Sequence, residues 1–216
     1  YHLIFIVKIK IIMNVSILGN GLTSLTLAKM LVNQGIKVDI FLSKKTKRYN
    51  KIQTLGISKT NIEFFNKNIS NIDKFLWGID NIEIYSENLK NEKILNFKNK
   101  GNNLFYIARN YNLYHHLLLN LKKNKLIKFK KKIECSNLLK SKYNLIFNCD
   151  YSNSISKKFF FRKISKNYKS FAYATTFKHK KISYNNIASQ VFTKKRSTRF
   201  FTYFFNRNFC GLFCKR

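Results

Sequence analysis

The stretch that decides the fold is NVSILGNGLTSLTLAKMLVNQGIKVDIF, residues 14–41. NVSILG (14–19) is a continuous apolar run ending in glycine, which is typical of a strand buried on both faces. LTSLTLAKMLVNQG (22–35) predicts a helix that ends at Gly35. Its predicted apolar side is made of Leu22, Leu25, Leu27, Leu31 and Val32. IKVDIFLS (36–43) is a second strand, so the order predicts a right-handed βαβ unit with two parallel strands.

The turn inside this unit carries a short run of small and polar residues: Gly19, Asn20, Gly21, Leu22, Thr23 and Ser24. In the dinucleotide fingerprint GxGxxG, the first glycine makes the tight turn and the second lets the backbone approach a pyrophosphate. The third allows close helix–strand packing, and the helix N-terminus attracts the anion. Ser24 fills that third position with a small side chain. The run therefore predicts a pyrophosphate-binding turn, with a ligand-free glycine turn as the alternative.

The second strand lacks the acid that normally follows such a turn. A carboxylate at its end would hold the ribose hydroxyls, but this strand ends in Leu42 and Ser43. Asp39 lies mid-strand and is expected to point elsewhere. Ser43 can give one hydrogen bond, and its presence argues against an NAD-binding Rossmann protein about as much as against an FAD-binding one.

A later segment, YNLIFNCDYSNS (143–154), has the same pattern as the first strand: an apolar run followed by turn residues. The predicted strand is followed directly by Asp150. An aspartate at the carboxyl end of a strand lies in the crevice where open α/β sheets bind ligands. An Asx turn explains the same residue equally well. We predict an α/β fold whose parallel sheet contains strands 14–19, 37–42 and 144–149. Gly19 and Asp150 should then lie at the carboxyl edge of neighbouring strands.

The composition limits the function classes. The chain has 216 residues, 45% of them hydrophobic, which is enough for a folded core. Its formal charge of +33 usually suggests a polyanion partner. The excess, however, is mostly lysine spread evenly among asparagine and isoleucine, and these three residues share A/T-rich codons. We therefore expect no nucleic-acid partner, while attraction to an anionic membrane surface follows from the same charge.

Cysteine and histidine give no metal site. The four cysteines are scattered, and Cys210 and Cys214 have neither a second pair nor a nearby histidine. His115 and His116 lie in an apolar helical stretch (LYHHLLLNLKKN), where a surface or partly buried side chain is expected. We predict no metal ligands.

Together these features resemble the flavin-dependent aromatic hydroxylases of ubiquinone biosynthesis, the 2-polyprenyl-6-methoxyphenol hydroxylase type. The resemblance covers residues 13–193 in four ordered segments. Residues 15–41 are similar to the family's opening FAD-binding βαβ, and NKIQTLGIS (50–58) is similar to its D-x-R-(A/T)-x-A-L-S segment, with Thr54 and Ser58 matching. NLIFNCDYSNS (144–154) is similar to the strand ending A-D-G-x-x-S. SFAYATTFKHKK…NNIASQVFT (170–193) resembles the strand pair that starts an antiparallel, substrate-side sheet.

The resemblance implies FAD as cofactor and NAD(P)H as electron donor. The reduced cofactor would activate O₂ to hydroxylate a phenol that carries a polyprenyl tail. Such chemistry requires no side chain to create the oxidant, so we predict no catalytic residue. Gly19, Gly21 and Ser24 would cradle the pyrophosphate, with Asn20, Leu22 and Thr23 in the same turn and Asp150 at the cofactor crevice. The resemblance also implies a cytoplasmic protein in peripheral contact with the inner membrane.

Three positions depart from the family pattern. Gln53 stands where the family has a flavin-contacting arginine, and Tyr151 replaces a glycine. Ser43 or Leu42 replaces the ribose-binding glutamate. Each change removes a charge-assisted bond or crowds a close approach, so we expect weak FAD binding. The alternative function is a basic α/β module that binds a nucleotide or nucleic acid without catalysis.

The two ends of the sequence differ from the rest. Residues 1–12 are interpreted as upstream translation, with Met13 as the natural start. The predicted FAD-binding domain covers residues 13–155, and the substrate-side sheet begins within 156–193. From about Lys195 the composition changes: four of the seven arginines and two of the four cysteines follow it. We predict that residues 194–216 are a frameshift product without an evolved function.

Overall fold

A computed structural model of the chain describes residues 13–42, 53–86, 92–99, 101–131, 137–138, 141–159, 162, 164, 166–167, 170–178, 186–192, 196–202 and 207–215. The chain divides into two compact units. The first contains Tyr1–Thr46 and Leu117–Phe161, and the second contains Lys47–His116 and Arg162–Arg216.

The first unit is built on a parallel sheet. Its strands are β1 (Asn14–Leu18), β2 (Lys37–Phe41), β8 (Ile127–Lys130) and β9 (Leu145–Asn148). They lie in the order β8–β2–β1–β9, and every pair is parallel. The three strands that the sequence predicts for this sheet are therefore neighbours, and the predicted α/β fold is confirmed.

Helix α1 (Leu22–Asn33) packs on this sheet through a narrower face than its leucines suggest. The buried residues are Ser24, Leu25, Ala28 and Val32, whereas Leu22, Leu27 and Leu31 are half-buried. Of the five residues predicted for the apolar side, Leu25 and Val32 are thus buried and the other three are half-buried, and the buried face also includes the small residues Ser24 and Ala28.

Gly35 ends α1 as predicted. It has a positive φ of 78°, and its N–H donates to the Val32 carbonyl at 2.9 Å. The following residue, Ile36, donates to the Leu31 carbonyl at 3.1 Å. These two bonds form a Schellman motif, in which glycine takes the left-handed position at no steric cost.

A small apolar cluster lies where β1 and β2 end. Leu18, Phe41, Leu138 and Ile155 are buried together, with Tyr143 and Ile146 packed against them. Ile155 belongs to the short helix α4 (Ser154–Phe159). Apolar residues at the ends of β1 and β2 are thus covered by segments that follow β8 and β9.

The second unit contains two further sheets. One has the order β3–β7–β4 and is antiparallel; its strands are β3 (Thr54–Ile57), β4 (Leu76–Ile79) and β7 (Phe105–Arg109). The strands of the other are β5 (Asn81–Ser86), β6 (Lys93–Lys98), β10 (Ser170–Lys178), β11 (Ile187–Phe192), β12 (Arg196–Thr202) and β13 (Arg207–Lys215). Their order is β10–β13–β12–β11–β5–β6, antiparallel except for β5 with β11.

The two strands predicted to begin an antiparallel sheet, β10 and β11, both belong to this larger sheet. They are not adjacent in it, because β13 and β12 lie between them. β11 pairs instead with β12 and, in parallel, with β5, where Ala188 lies opposite Ile82. Ala188 is buried with Ile79 and Ile107, so burial of this small cluster accompanies the long-range pairing.

The described part of the chain also contains the helices α2 (Lys59–Asn68) and α3 (Asn110–Lys122) and a short 3-10 helix at Asp73–Phe75. The predicted histidine-bearing helix is α3. Both histidines are half-buried in it: His116 Nε2 lies 2.8 Å from Ser70 Oγ, and the His115 ring centroid lies 4.2 Å from that of Tyr111. Within the described ranges, no three potential metal ligands come together. None of the described helices has the length and hydropathy needed to cross a bilayer.

Candidate functional site

The turn after β1 is closed by Gly19. Its φ is +102°, a backbone conformation that side chains rarely adopt, and its N–H donates to the Phe41 carbonyl at the end of β2, at 2.9 Å. A Cβ atom built on Gly19 would lie 3.1 Å from the Asp150 Cβ and 3.4 Å from the Asp150 nitrogen. Glycine is therefore required here both by the backbone conformation and by the neighbouring strand.

Asp150 follows β9, which is paired in parallel with β1. The Cys149 N–H donates to the Leu18 carbonyl at 3.0 Å and extends this pairing to the carboxyl edge. Gly19 and Asp150 thus lie side by side at the carboxyl edge of neighbouring parallel strands, as predicted. This is the edge at which open α/β sheets bind ligands.

Gly21 precedes the first residue of α1. Its backbone is extended, with φ −74° and ψ 175°, and its carbonyl accepts the Leu25 N–H at 3.0 Å. Glycine has no side chain to cap the helix, and the first turn contains no acidic residue. The first N–H groups of a helix have no intrahelical acceptors and carry a partial positive charge. This helix end therefore favours an anion, because no acidic side chain of the first turn neutralises its partial positive charge.

Ser24 sits behind this turn, in the interface between α1 and the sheet. It is completely buried, and its hydroxyl has no hydrogen bond of ordinary geometry within the described residues. It nevertheless interacts weakly with the Cys149 thiol. Burial raises the pKa of Cys149, and the Ser24 hydroxyl partly opposes that rise. Ser24 therefore acts as the small packing residue expected at the third position of the fingerprint.

The carboxylate of Asp150 is part of an Asx turn. Its Oδ1 accepts the Ser152 N–H at 3.0 Å and the Ser152 hydroxyl at 2.6 Å. The two predictions for this aspartate, a position at the ligand edge and an Asx turn, are therefore compatible. The residue lies at the ligand edge of the sheet, and its carboxylate also holds the loop that follows β9.

Asparagine side chains fix the same loop. Asn148 Oδ1 accepts the Asp150 N–H at 3.2 Å and the Asn153 Nδ2 at 2.6 Å. Asn153 in turn accepts the Ser156 N–H at 3.0 Å, the usual bond of an N-cap residue to α4. Sequence reasoning missed these two asparagines, although asparagine just before a short helix is a recognised capping signal.

The remaining predicted residues of the turn are close to Gly19 in sequence and lie on its outer side. Asn20 and Leu22 are half-buried, and Thr23 is exposed. Tyr151, which replaces a glycine of the family pattern, is 78% exposed. Ser43 lies outside the described residues.

Gln53 lies in the second unit and is exposed at the start of β3. Its carbonyl accepts the Asn110 N–H at 3.0 Å, and the next residue, Thr54, pairs with Arg109 of β7. The structure therefore places a cation one strand away from the position where the family's arginine is missing. Sequence reasoning did not consider Arg109, because only the strand pairing brings it beside Gln53.

Ser58, one of the two matches in the same segment, caps helix α2. Its hydroxyl accepts the Asn61 N–H at 3.3 Å, and its carbonyl accepts the Ile62 N–H at 3.1 Å. This serine therefore has a local structural role that is sufficient to explain its residue type.

Comparison with solved structures identifies the fold. PqsL of Pseudomonas aeruginosa, solved in complex with 2-aminobenzoylacetate, superposes with a TM-score of 0.72 at 11% identity. CtdE, solved with FAD and a substrate, gives 0.71 at 14%, and the 2,6-dihydroxypyridine-3-hydroxylase of Arthrobacter nicotinovorans gives 0.69 at 11%. The chain shares the fold of these three proteins, of which PqsL is described as a probable FAD-dependent monooxygenase and CtdE was solved with FAD.

The superpositions cover nearly all of this chain but only part of each of the three solved structures. Each superposition covers 94% of this chain and 61%, 57% and 56% of PqsL, CtdE and the hydroxylase, respectively. The chain thus spans less than two thirds of their length. No protein-family model matches the sequence, and no curated protein is a detectable relative of it.

Proposed function

We propose that the chain binds FAD and is part of an FAD-dependent monooxygenase that hydroxylates an aromatic ring. The observation that carries the proposal is the turn at Gly19 and Gly21, which lies beside Asp150 at the ligand edge of the parallel sheet. The fold shared with CtdE, solved with FAD, and with PqsL, described as a probable FAD-dependent monooxygenase, supports the same cofactor.

The residues of the turn fit a dinucleotide. Gly19 lets the chain turn against Asp150 without a Cβ atom, and Gly21 leaves the first turn of α1 without a capping side chain. The uncapped first turn of α1 supplies N–H groups and a positive dipole end to a pyrophosphate. Ser24 and Ala28 belong to the buried face of α1, and their small side chains allow the helix to pack closely. Asp150 and Ser152 keep the loop after β9 folded beside Gly19.

Bound FAD would supply the redox chemistry, taking electrons from NAD(P)H and activating O₂. The protein's own residues would bind and orient the cofactor. The resemblance to ubiquinone-pathway hydroxylases favours a phenol with a polyprenyl tail as substrate. A substrate of that kind favours a cytoplasmic protein in peripheral contact with the inner membrane, and the charge of +33 would attract an anionic leaflet.

The affinity for FAD is expected to be low. Gln53 and Ser43 each lack a charge that the family pattern supplies, and Tyr151 adds bulk where that pattern has glycine. Each loss is worth on the order of 1–3 kcal/mol, and a factor of ten in affinity corresponds to about 1.4 kcal/mol. Weak rather than stoichiometric binding follows.

Titration of FAD into the full chain, followed by the change in flavin fluorescence, tests the proposal. We expect saturable binding that free riboflavin, which lacks the pyrophosphate, does not compete away. Absence of saturable binding by a folded chain would contradict the proposal. Equal competition by riboflavin would also contradict it, because the turn would then make no contribution to recognition. Stimulation of NAD(P)H oxidation by phenols in the FAD-loaded chain tests the hydroxylase step separately.

A further inference from the structure

A second concave site lies in the first unit, at the opposite edge of its parallel sheet. A cavity of about 550 Å³ opens at the amino ends of the strands. Its walls include Lys37, Lys125, Lys128 and Lys142, together with Asp39 and Tyr143. A volume of this size is typical of sites for small ligands.

The four lysines come from separate segments that the parallel sheet brings together. Lys37 is the first residue of β2, and Lys128 lies in β8, directly opposite Asp39. Lys125 precedes β8, in the segment where the Leu126 carbonyl accepts the Val38 N–H at 2.9 Å. Lys142 lies just before β9. The convergence therefore follows from strand pairing and not from a run of lysines in the sequence.

The carboxylate in the cavity wall is already neutralised. Asp39 Oδ2 lies 2.6 Å from the Lys130 ammonium and accepts the Tyr143 hydroxyl at 2.5 Å. Within the part of the chain that the structure describes, the salt bridges are Lys130–Asp39 and Lys93–Glu83. Neither includes any of the four cavity lysines, so among the described residues these four ammonium groups have no carboxylate within salt-bridge distance.

We propose that this lysine-lined cavity binds a ligand that carries two or more phosphate groups. Lysine is a compact point charge that suits phosphate oxygens without demanding a fixed geometry. Four such charges around one concave site satisfy several phosphates at once, and the neutral Asp39–Lys130–Tyr143 cluster does not repel them. The phosphates could belong to a free ligand or to lipid headgroups at a membrane surface. The site is separate from the turn at Gly19 and does not depend on FAD binding.

The test uses the full chain and two variants of equal charge. In the cavity variant, Lys37, Lys125, Lys128 and Lys142 are all changed to glutamine. In the matched control, four exposed lysines of the second unit are changed instead: Lys59, Lys67, Lys74 and Lys98. Both variants lose four positive charges, so general attraction by the charge of +33 affects them equally. Circular dichroism verifies that each variant is folded.

Calorimetric titration with inorganic tripolyphosphate tests a free ligand. Flotation with phosphatidylglycerol or phosphatidylcholine vesicles tests a headgroup. We expect binding to at least one anionic probe that weakens tenfold or more in the cavity variant and changes less than threefold in the control. The quadruple lysine-to-arginine variant of the cavity should retain binding. If the quadruple glutamine variant fails to fold, the double variant Lys37→Gln/Lys128→Gln replaces it, with Lys59→Gln/Lys67→Gln as its control, and should lose at least threefold more affinity than that control. No binding by the natural chain would overturn the proposal, as would equal losses in the two variants.

Discussion

A Cβ atom on Gly19 would stand 3.1 Å from the Cβ of Asp150, so the turn after β1 and the end of β9 touch. Real Cβ atoms seldom approach this closely, and the neighbouring atoms belong to Asp150 and the Cys149 backbone, which cannot easily move. The contact links the two ligand-edge segments of the parallel sheet. Any residue larger than glycine would disturb both at once.

The first prediction concerns Gly19→Ala. The methyl group meets Asp150, and the backbone φ of +102° is strained for alanine. We expect at least tenfold weaker FAD binding, measured by fluorescence titration. Gly35→Ala is the matched control: Gly35 also has a positive φ, 78°, but its added Cβ meets nothing within 4 Å. Gly35→Ala should lower the free energy of unfolding by about 1 kcal/mol and leave FAD affinity unchanged. Similar affinity losses in both variants would contradict a specific role for Gly19.

The second prediction concerns two charged side chains, one arginine and one glutamate, that the family pattern has and this chain lacks. Gln53→Arg and Ser43→Glu should each strengthen FAD binding, because each supplies a charge-assisted bond that the resemblance assigns to that position. The expected gain is roughly 1–3 kcal/mol per substitution, which is about fivefold to 150-fold in affinity. Gln53→Leu serves as the uncharged control. If neither charged variant binds FAD more tightly than the natural chain, the alignment of these two positions with the family is wrong.

The sequence predicts the first unit well because its signals are local. The apolar run before Gly19, the glycine turn and the Gly35 cap each depend on a few adjacent residues. The structure then brings 145–148 beside 14–18 as the pattern requires. The buried face of α1 was predicted less completely, since counting leucines does not reveal that the small residues Ser24 and Ala28 are also buried there.

The second unit was less accessible to sequence reasoning. The pairing of β5 with β11 joins Asn81 to Ile187, and no local pattern specifies so distant a partner. The same holds for Arg109, which lies opposite Thr54 only because β3 and β7 pair. The lysine-lined cavity could not be predicted either. In a lysine-rich chain none of its four lysines stands out in the sequence, and only the pairing of the parallel strands brings them together.

The third prediction separates capping from ligand binding at Ser58. Its hydroxyl accepts the Asn61 N–H, so Ser58→Ala should lower the free energy of unfolding by about 1 kcal/mol. Ser58→Asp should preserve stability, because aspartate is an equally good N-cap. Chemical denaturation measures both. FAD affinity should be unchanged in either variant. A large loss of affinity with unchanged stability would show that the serine contacts the cofactor and is not mainly a cap.

The fourth prediction concerns stability at high pH. The hydrogen bond to Asp39, and after it the one to Tyr143, raises the pKa of Lys130. Burial, and after it the hydrogen bond to Asp39, raises the pKa of Tyr143. Both groups hold their protons more tightly when folded, so this stability is complete below about pH 10. It is lost as the pH rises through the raised pKa values.

Thermal melting between about pH 8 and pH 11 checks this, since the unfolded groups titrate near 10. Asp39→Asn removes the shared carboxylate, so its Tm should be lower near neutral pH and should fall less steeply in alkali than that of the natural chain. Glu63→Gln, on the exposed surface of α2, is the control and should follow the natural chain. Parallel curves for Asp39→Asn and the natural chain would show that the cluster has no part in the alkaline loss.

The last prediction concerns the DNA that encodes residues 194–216. The chain contains no proline, although the family resemblance calls for a segment like GPLAFLP after residue 193. Lys194 and Lys195 are encoded by adjacent adenine-rich codons, where one extra base is easily introduced. With permitted codon choices, removal of one adenine converts TKKRSTRFFTYF (193–204) into TKNGPLAFLPI, which restores the missing segment. The arginine- and phenylalanine-rich tail would then be the same DNA read in another frame. We expect resequencing of the locus to reveal the shorter adenine run, with family-like sequence continuing in the restored frame. A confirmed run of the present length, with no family-like sequence in the alternative frame, would show that the tail is genuinely encoded.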